Sequence, residues 1–198
     1  MNNWKQFGGF QIEDLGDYCR DYVSKNKDLR IYVGTDSSQK RRYTLYATTV
    51  CFVHERAGAH VIFKRDRIPK IARHDLFNRL WKEVELSFEV GEYLEKELDG
   101  YFTRLKPGLS RMGPLSGAKE VFNGKLWVPE RPNIESTFDY SGYKLVDIDL
   151  DFNPNKVCGS NMVHDSGEGF IRGNGYRCRT KPDAYAAMSA ADLCCGKY

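Results

Sequence analysis

Residues 30–39, which read RIYVGTDSSQ, decide the fold. Ile31, Tyr32 and Val33 are β-branched or aromatic and form a short apolar run, which predicts a buried strand. The strand ends on Asp36, so it places a carboxylate at the edge of the sheet, and small polar residues follow. An acid in this position can be a metal ligand or a solvated turn residue. The rest of the chain has to decide between these two interpretations.

Length and composition indicate one globular domain covering residues 1–198. Of the 198 residues, 41% are hydrophobic and 29% are charged, which is ordinary for a globular protein. The formal net charge of +3 permits a nucleic-acid partner but does not argue for one. The six cysteines lack a metal-binding spacing, which predicts free thiols in the cytoplasm. The start predicts no signal peptide, and no apolar stretch is long enough to span a bilayer, so we expect no membrane partner.

The elements around the opening strand follow from the spacing of apolar residues. Helical spacing over residues 12–24 predicts an amphipathic helix before the strand. Residues 43–53 and 59–65 predict two more strands, and the short links between the three strands indicate an antiparallel meander. A long helix follows at about residues 72–98 and carries several glutamates.

Residues 102–143 form an irregular segment that is rich in proline and glycine. A stretch of this length without clear periodicity predicts an insertion within the domain. Its first part is basic and contains interleaved aromatic residues, which would suit a flap that binds a nucleic-acid strand. A structural insertion packed on the core is an equally good interpretation.

Acidic and apolar residues alternate on the fourth predicted strand, residues 144–151. Asp147, Asp149 and Asp151 therefore point to one face or edge of the sheet. Three acids on one face repel each other unless water or a cation lies between them. An edge strand could carry them for structural reasons, but a cation is the simpler explanation.

The C-terminal part predicts a helix at residues 162–171, a short fifth strand at 176–180 and an alanine-rich last helix. Pro182 and Asp183 open this last helix, so Asp183 falls in its first turn, where a carboxylate favours the helix dipole. Asp192 lies two and a half turns later, nearly on the opposite side. Both acids therefore cannot easily bind the same ion.

This order of elements and acids resembles the RNase H-like superfamily of nucleases, resolvases and transposases. Short motifs resemble its YkuK-like branch more closely, a group described as predicted RNase H-related nucleases. These motifs are VGTDS at 33–37, EV at 83–84, the acid at 149 with NP at 153–154, SN at 160–161, the glycines of 169–175 and KPDA at 181–184.

The resemblance implies an α/β fold with a mixed five-stranded sheet flanked by helices. Three antiparallel strands would lead into two parallel ones, with the first strand beside the fourth. The resemblance covers most of residues 31–192. It leaves out the N-terminal helix and the long insertion at 102–143.

The same resemblance implies a carboxylate site for catalysis. Its catalytic residues would be Asp36, Glu83, Asp149 and Asp183, of which Asp36 would be the shared ligand. The ligand from the last helix stays open between Asp183 and Asp192, and Asp183 is preferred because it begins the helix near the strand ends. Clustered carboxylates suit Mg²⁺ or Mn²⁺, and two such ions would serve both ends of phosphodiester hydrolysis. The complete set of candidate metal ligands is Asp36, Glu83, Asp147, Asp149, Asp151, Asp183 and Asp192.

The expected activity is hydrolysis of nucleic acid by a metal-dependent nuclease. RNA, an RNA–DNA hybrid and structured DNA all remain open as substrates, and so does the formation of a homodimer. An inactive RNase H-like module that binds nucleic acid or protein is the alternative. Hydroxyl, amide and cationic side chains near the acids predict the backbone contacts. These candidates are Ser37, Ser38, Gln39, Arg41, Arg42, Asn153, Asn161 and Lys181.

Overall fold

The structure is a computed structural model that describes residues 3–26, 29–54, 58–70, 76–99 and 144–196. The predicted insertion at 102–143 lies outside these residues. The strands are β1 (Lys5–Gln6), β2 (Leu29–Gln39), β3 (Tyr43–His54), β4 (Gly58–Pro69), β5 (Val146–Leu150) and β6 (Arg177–Arg179). The helices are α1 (Leu15–Lys25), α2 (Leu76–Glu97), α3 (Asn161–Gly173) and α4 (Asp192–Gly196), and a π-helical segment (Ala186–Ala191) leads directly into α4.

One mixed sheet holds the six described strands in the order β1-β4-β3-β2-β5-β6. The meander β2-β3-β4 is antiparallel, whereas β5 is parallel to β2 and β6 is parallel to β5. The predicted three antiparallel and two parallel strands are therefore confirmed. The predicted strand number was wrong, because β1 pairs with the outer edge of β4 and adds a sixth strand. Two residues are too few to produce a recognisable period in a sequence.

The main core lies between one face of the sheet and the helices α1, α2 and α3. Ile31 and Val33 point into it from β2, and Leu15, Leu94 and Ile171 contribute one apolar side chain from each helix. Every one of these side chains is buried. The side chain of Asp14 begins α1 by accepting a hydrogen bond from Asp17 N at 2.8 Å. The amphipathic helix expected at 12–24 therefore begins at Leu15.

The opposite face of β2 is covered closely by the π-helical segment. A Cβ atom on Gly34 would lie 2.4 Å from Ala187 N, so only glycine permits this approach. Thr49 of β3 donates a hydrogen bond to Ala186 O at 3.1 Å, which ties the segment to the sheet. The alanine-rich segment thus packs closely on the sheet. The predicted helix start was wrong, because the segment begins after Tyr185 and Asp183 lies before its first turn.

All six cysteines are free thiols, as the sequence predicts. Within the described ranges, no helix is both long enough and apolar enough to cross a membrane. The single-domain organisation, the cytoplasmic location and the homodimer stay predictions.

Candidate active site

The acids of β5 and the cations of β6 form a ladder of ion pairs. Arg177 Nε lies 2.5 Å from Asp147 Oδ1, and Arg179 Nη2 lies 2.7 Å from Asp149 Oδ2. Just beyond the two strands, Lys181 Nζ lies 2.8 Å from Asp151 Oδ1. Side chains at alternate positions share a face, so the period of two in both segments produces the ladder. The protein itself therefore supplies cations for the three acids.

Each ion pair is one rung of this ladder, and the rung formed by Asp149 and Arg179 is closed to solvent. Asp149 is fully buried, and Arg179 donates to its two carboxylate oxygens at 2.7 Å each. Ala186 N donates a third hydrogen bond to Asp149 Oδ2 at 2.6 Å. Arg179 also stacks over the ring of Tyr32, with Cζ 3.7 Å from the ring centroid. These contacts use both oxygens of Asp149, which argues against its predicted role as a metal ligand.

The rung formed by Asp151 and Lys181 is more open. The side chain of Asp151 is 21% exposed and that of Lys181 is 35% exposed. Asp151 Oδ1 is itself shielded from solvent and meets the Lys181 ammonium as an ion pair. Burial raises the pKa of Asp151, the Lys181 ammonium lowers it, and the charge of Asp192 raises it further. Asp151 is thus the acid of this ladder that is least completely bonded.

Asp36 lies beside this open rung on the neighbouring strand. Gly34 is paired with Asp149, and continuing this parallel register by two residues places Asp36 next to Asp151. Burial raises the pKa of Asp36 to about 6, and the charges of Asp151 and Asp192 add to the effect. The backbone N–H of Ser37 and the guanidinium of Arg79 act in the opposite direction. Asp36 is therefore the point where acids from several elements meet.

Glu83 approaches the same place from α2. It is 2% exposed, and Ser37 Oγ donates a hydrogen bond to its Oε1 at 2.5 Å. Burial raises the pKa of Glu83 well above its usual range, and Asp36 and Asp151 raise it further. One turn later, Ser87 Oγ bonds Glu83 O at 2.8 Å and Thr35 Oγ1 at 2.9 Å, which links this part of α2 to β2.

The last helix contributes Asp192. This residue begins α4, and its charge acts on both Asp36 and Asp151. Asp183 lies in the loop before the π-helical segment, where its N–H donates to Thr180 O at 2.8 Å. The charge of Asp192 is among those that act on Asp36 and Asp151, whereas that of Asp183 is not. We name the group Asp36, Glu83, Asp151 and Asp192 the acid cluster.

A model of the Ribonuclease H-like family matches residues 12–110, half of the 198-residue chain. The chain belongs to the Ribonuclease H-like family. Searches among curated proteins and among solved structures gave no match. The match includes β2, β3, β4 and α2, and with them Asp36 and Glu83, whereas Asp151 and Asp192 lie beyond it.

In this Ribonuclease H-like protein, the acid cluster takes one carboxylate from each region to which the resemblance assigns one. The two that differ from the expected catalytic set are Asp151, two residues after Asp149, and Asp192, the alternative to Asp183. Both are among the candidate metal ligands predicted from the sequence. The spacing in the sequence could not separate Asp149 from Asp151, because both have the same phase on the strand. The roles predicted for Asp149 and Asp183 stay predictions without support from these contacts.

The donor chemistry of the acid cluster fits a divalent cation. Carboxylate oxygens are the ligands that Mg²⁺ and Mn²⁺ prefer, and the poorly bonded Asp151 Oδ1 is one that a cation would satisfy. Among the described residues, however, no three His, Cys, Asp or Glu side chains stand close enough to hold one metal ion. Ser37 and Lys181 contact two of the acids instead. Binding of a metal would therefore require these side chains to move.

One cation of the site was not singled out from the sequence. Arg79 lies one helical turn before Glu83 on α2, and its charge lowers the pKa of both Glu83 and Asp36. Its Nε atom is buried and has no hydrogen-bond partner among the described residues. The spacing of four residues between Arg79 and Glu83 was the signal that could have revealed it.

The predicted nucleic-acid contacts divide into two groups. Ser37, Asn153, Asn161 and Lys181 are engaged within the protein: Ser37 with Glu83, Asn153 with Ser160 Oγ and Asn155 N, Asn161 with Pro154 O, and Lys181 with Asp151. The others lie at the end of β2 and in the following turn, beyond Asp36. Ser38 is partly exposed there, and the exposed members are Gln39, Arg41 and Arg42.

Proposed function

We propose that this protein is a metal-dependent nuclease that hydrolyses phosphodiester bonds of nucleic acid at the acid cluster. The observation that carries the proposal is that Asp36 and Asp151 lie side by side at the ends of neighbouring strands, with Glu83 held next to Asp36 through Ser37. Asp192 lies near enough for its charge to act on both aspartates. Like charges in such proximity disfavour ionisation, and a bound cation would relieve the repulsion. Asp151 and Asp192 accordingly replace Asp149 and Asp183 in the proposed set.

Mg²⁺ or Mn²⁺ bound by these four carboxylates would activate water and stabilise the leaving oxygen of the phosphodiester. The chain's own residues would position the acids. Ser37 orients Glu83 through its hydroxyl, and Lys181 holds Asp151 through its ammonium. The turn after β2, with Arg41 and Arg42 exposed, would contact the phosphate backbone independently of sequence.

Matched aspartate-to-asparagine variants test this assignment. Asp36→Asn, Asp151→Asn and Asp192→Asn should each lower Mg²⁺-dependent cleavage by at least about 100-fold. Loss of a residue that only hydrogen-bonds to a metal ligand costs up to about 100-fold in activity, and loss of the ligand itself should cost more. Asp183→Asn should cleave at the wild-type rate. Cleavage is measured on RNA, RNA–DNA hybrid, single-stranded DNA and branched DNA.

Asp21→Asn, an exposed acid paired with Lys25 on α1, is the remote control. Loss of cleavage in Asp183→Asn with retention in Asp192→Asn would return the last ligand to Asp183. Absence of cleavage by the wild-type protein on every substrate, in both Mg²⁺ and Mn²⁺, would contradict a nuclease.

A binding module without catalysis is the second candidate. It is favoured by the lack of three closely spaced ligand side chains among the described residues. Titration with Mn²⁺, followed by electron paramagnetic resonance, separates the two candidates. A nuclease should bind Mn²⁺, and Asp36→Asn should weaken that binding. Nucleic-acid binding without Mn²⁺ binding would favour the module.

A further inference from the structure

A cationic groove lies at the outer edge of the sheet, between β4 and the N-terminal segment. Its volume is about 670 Å³. Three of its side chains are cations and one is an acid, and that acid, Asp66, already lies 3.2 Å from Lys64 Nζ. The groove therefore has an excess of positive charge. Its lining residues are Asn3, Lys5, Gly9, Gln11, Phe63, Arg65, Asp66 and Arg67.

Arg65 is the unusual member of this groove. Its Nε and Nη2 atoms are shielded from solvent, yet they donate to no acceptor in the described part of the chain. Its guanidinium packs on Phe63, with Cζ 5.5 Å from the ring centroid, and lies near enough to Cys194 of α4 to act on the pKa of that thiol. Burying hydrogen-bond donors without acceptors costs free energy. A ligand that supplies an acceptor to these donors would remove that cost.

Arg67 of β4 likewise has no carboxylate partner in the described part of the chain. Arg67 stands over the ring of Tyr43, with Cζ 5.4 Å from the ring centroid. Lys5 pairs with Phe63 across the β1–β4 edge, so its side chain lies on the same face as those of Arg65 and Arg67. Three cations consequently point into one groove from one face of the sheet.

The groove is aligned with the acid cluster. Asp36 is opposite Ala47, and Ala47 is opposite Arg65, so the three residues form one row across neighbouring strands. Residues directly opposite each other share a face, and strands lie about 4.8 Å apart, which puts the backbones of Asp36 and Arg65 about 10 Å apart. At an axial rise of about 3.4 Å per nucleotide, this corresponds to about three nucleotides of one strand.

We propose that this groove binds a backbone phosphate of the nucleic acid, about three nucleotides from the bond held at the acid cluster. Arg65 would bind the phosphate oxygens through the donors that are now unpaired, and Lys5 and Arg67 would add charge. Contacts of this kind fix the register of the strand without reading its bases. The inference rests on the proposed function for the position of the bond, but its binding test does not depend on cleavage.

Arg65→Gln tests the groove by binding alone. In EDTA, the affinity for a fluorescent single-stranded oligonucleotide should fall by about 10- to 100-fold, as expected for a lost charge-assisted hydrogen bond. The slope of log affinity against log salt should decrease by about 0.7 for the one phosphate contact removed. Arg172→Gln removes an exposed arginine paired with Glu168 on α3 and should change neither quantity.

Stability separates a binding role from a structural one. Arg65 has no hydrogen-bonded partner to abandon among the described residues, so Arg65→Gln should not lower the free energy of unfolding measured in urea. Arg65→Lys keeps the charge and should retain part of the affinity. A destabilised Arg65→Gln protein whose affinity for the oligonucleotide equals that of Arg172→Gln would overturn the proposal.

Oligonucleotides with a single neutral methylphosphonate identify the phosphate. One substitution, about three nucleotides from the cleaved bond, should weaken binding to the wild-type protein but not to Arg65→Gln. If no position behaves in this way, the proposal fails even if cleavage is normal.

If the wild-type protein does not cleave but Arg65→Gln loses affinity and salt dependence, the groove proposal stands and the nuclease assignment fails. Thermal stabilisation by inorganic phosphate without any loss of oligonucleotide binding in Arg65→Gln would indicate a free-phosphate site and overturn the proposal.

Discussion

Two neighbouring rungs of the β5–β6 ladder pair an aspartate with a cation, yet their surroundings differ. The side chain of Asp149 is 0% exposed and has three hydrogen bonds, two from Arg179 and one from Ala186. The side chain of Asp151 is 21% exposed and has one ammonium contact, from Lys181. The comparison shows that burial and the number of donors, rather than residue type, separate a structural acid from one available for chemistry.

The π-helical segment, which covers the Asp149–Arg179 pair, explains the difference. Gly34 lets the π-helical segment approach β2, and this brings Ala186 N onto Asp149. Asp151 lies past the end of β5, where its neighbours are the acids Asp36 and Asp192. The Asp149–Arg179 pair is therefore part of the buried structure. Asp151 is attracted by Lys181 and repelled by the neighbouring acids.

The largest expected effect comes from breaking the closed rung. Asp149→Asn leaves the buried charge of Arg179 without its partner, so we expect a loss of about 3–5 kcal/mol in the free energy of unfolding. Urea denaturation measures it. Asp151→Asn is the matched variant and should change stability by no more than about 1 kcal/mol, since its ion pair is partly exposed. Equal losses in the two variants would contradict the distinction between the rungs.

A smaller effect, of opposite sign, is expected at Asp36 in metal-free protein. Its pKa is raised from 3.8 to about 6 in the folded state, mainly by burial. The folded protein therefore binds this proton more tightly than the unfolded chain. The contribution of Asp36 to stability is complete below about pH 4 and is lost as the pH rises through about 6.

Asp36→Asn removes this dependence. In EDTA, the variant should match the wild-type protein near pH 4 and exceed its free energy of unfolding by about 2 kcal/mol at pH 7, after allowance for partial exposure. Urea denaturation between pH 4 and pH 8 measures the difference, with Asp21→Asn as control. A difference that does not change with pH would show that the pKa of Asp36 is not raised in the folded protein.

The smallest effect is expected from opening the second rung further. Lys181→Gln removes a partly exposed ion pair and should lower the free energy of unfolding by no more than about 1 kcal/mol. Salt should reduce the difference between the variant and the wild-type protein, because exposed charges are screened. A loss as large as that of Asp149→Asn would mean that Lys181 is part of the core.

Much of the fold could be predicted from local patterns. The apolar run at 31–33, the helical spacing of α1 and α2 and the alternation on β5 reflect contacts that each element must make with a core. The short β1 could not be predicted, because its pairing with β4 depends on a partner more than fifty residues away. The bounds of the last helix also failed, since the π-helical segment depends on packing against Gly34.

The candidate site likewise contains residues that the sequence predicted and residues that only the structure identified. Asp36 and Glu83 were assigned through the family resemblance that several motifs carry together, and the structure brings both into the acid cluster. Asp149 and Asp151 were indistinguishable by phase, and the choice needed the burial that the π-helical segment provides. The groove around Arg65 left no signal in the sequence, because it exists only when the N-terminal segment and β4 pair.

The sequence by itself determined most of the longer elements and that Asp147, Asp149 and Asp151 would share one face, because these properties depend on the period of residues along the chain. Only the tertiary structure decided which acids meet, since that depends on strand register and on where Ala186 and Lys181 come to rest. Whether a carboxylate is structural or available to a ligand depends on its ion-pair partners and on its exposure to water. Both are determined by residues distant in sequence.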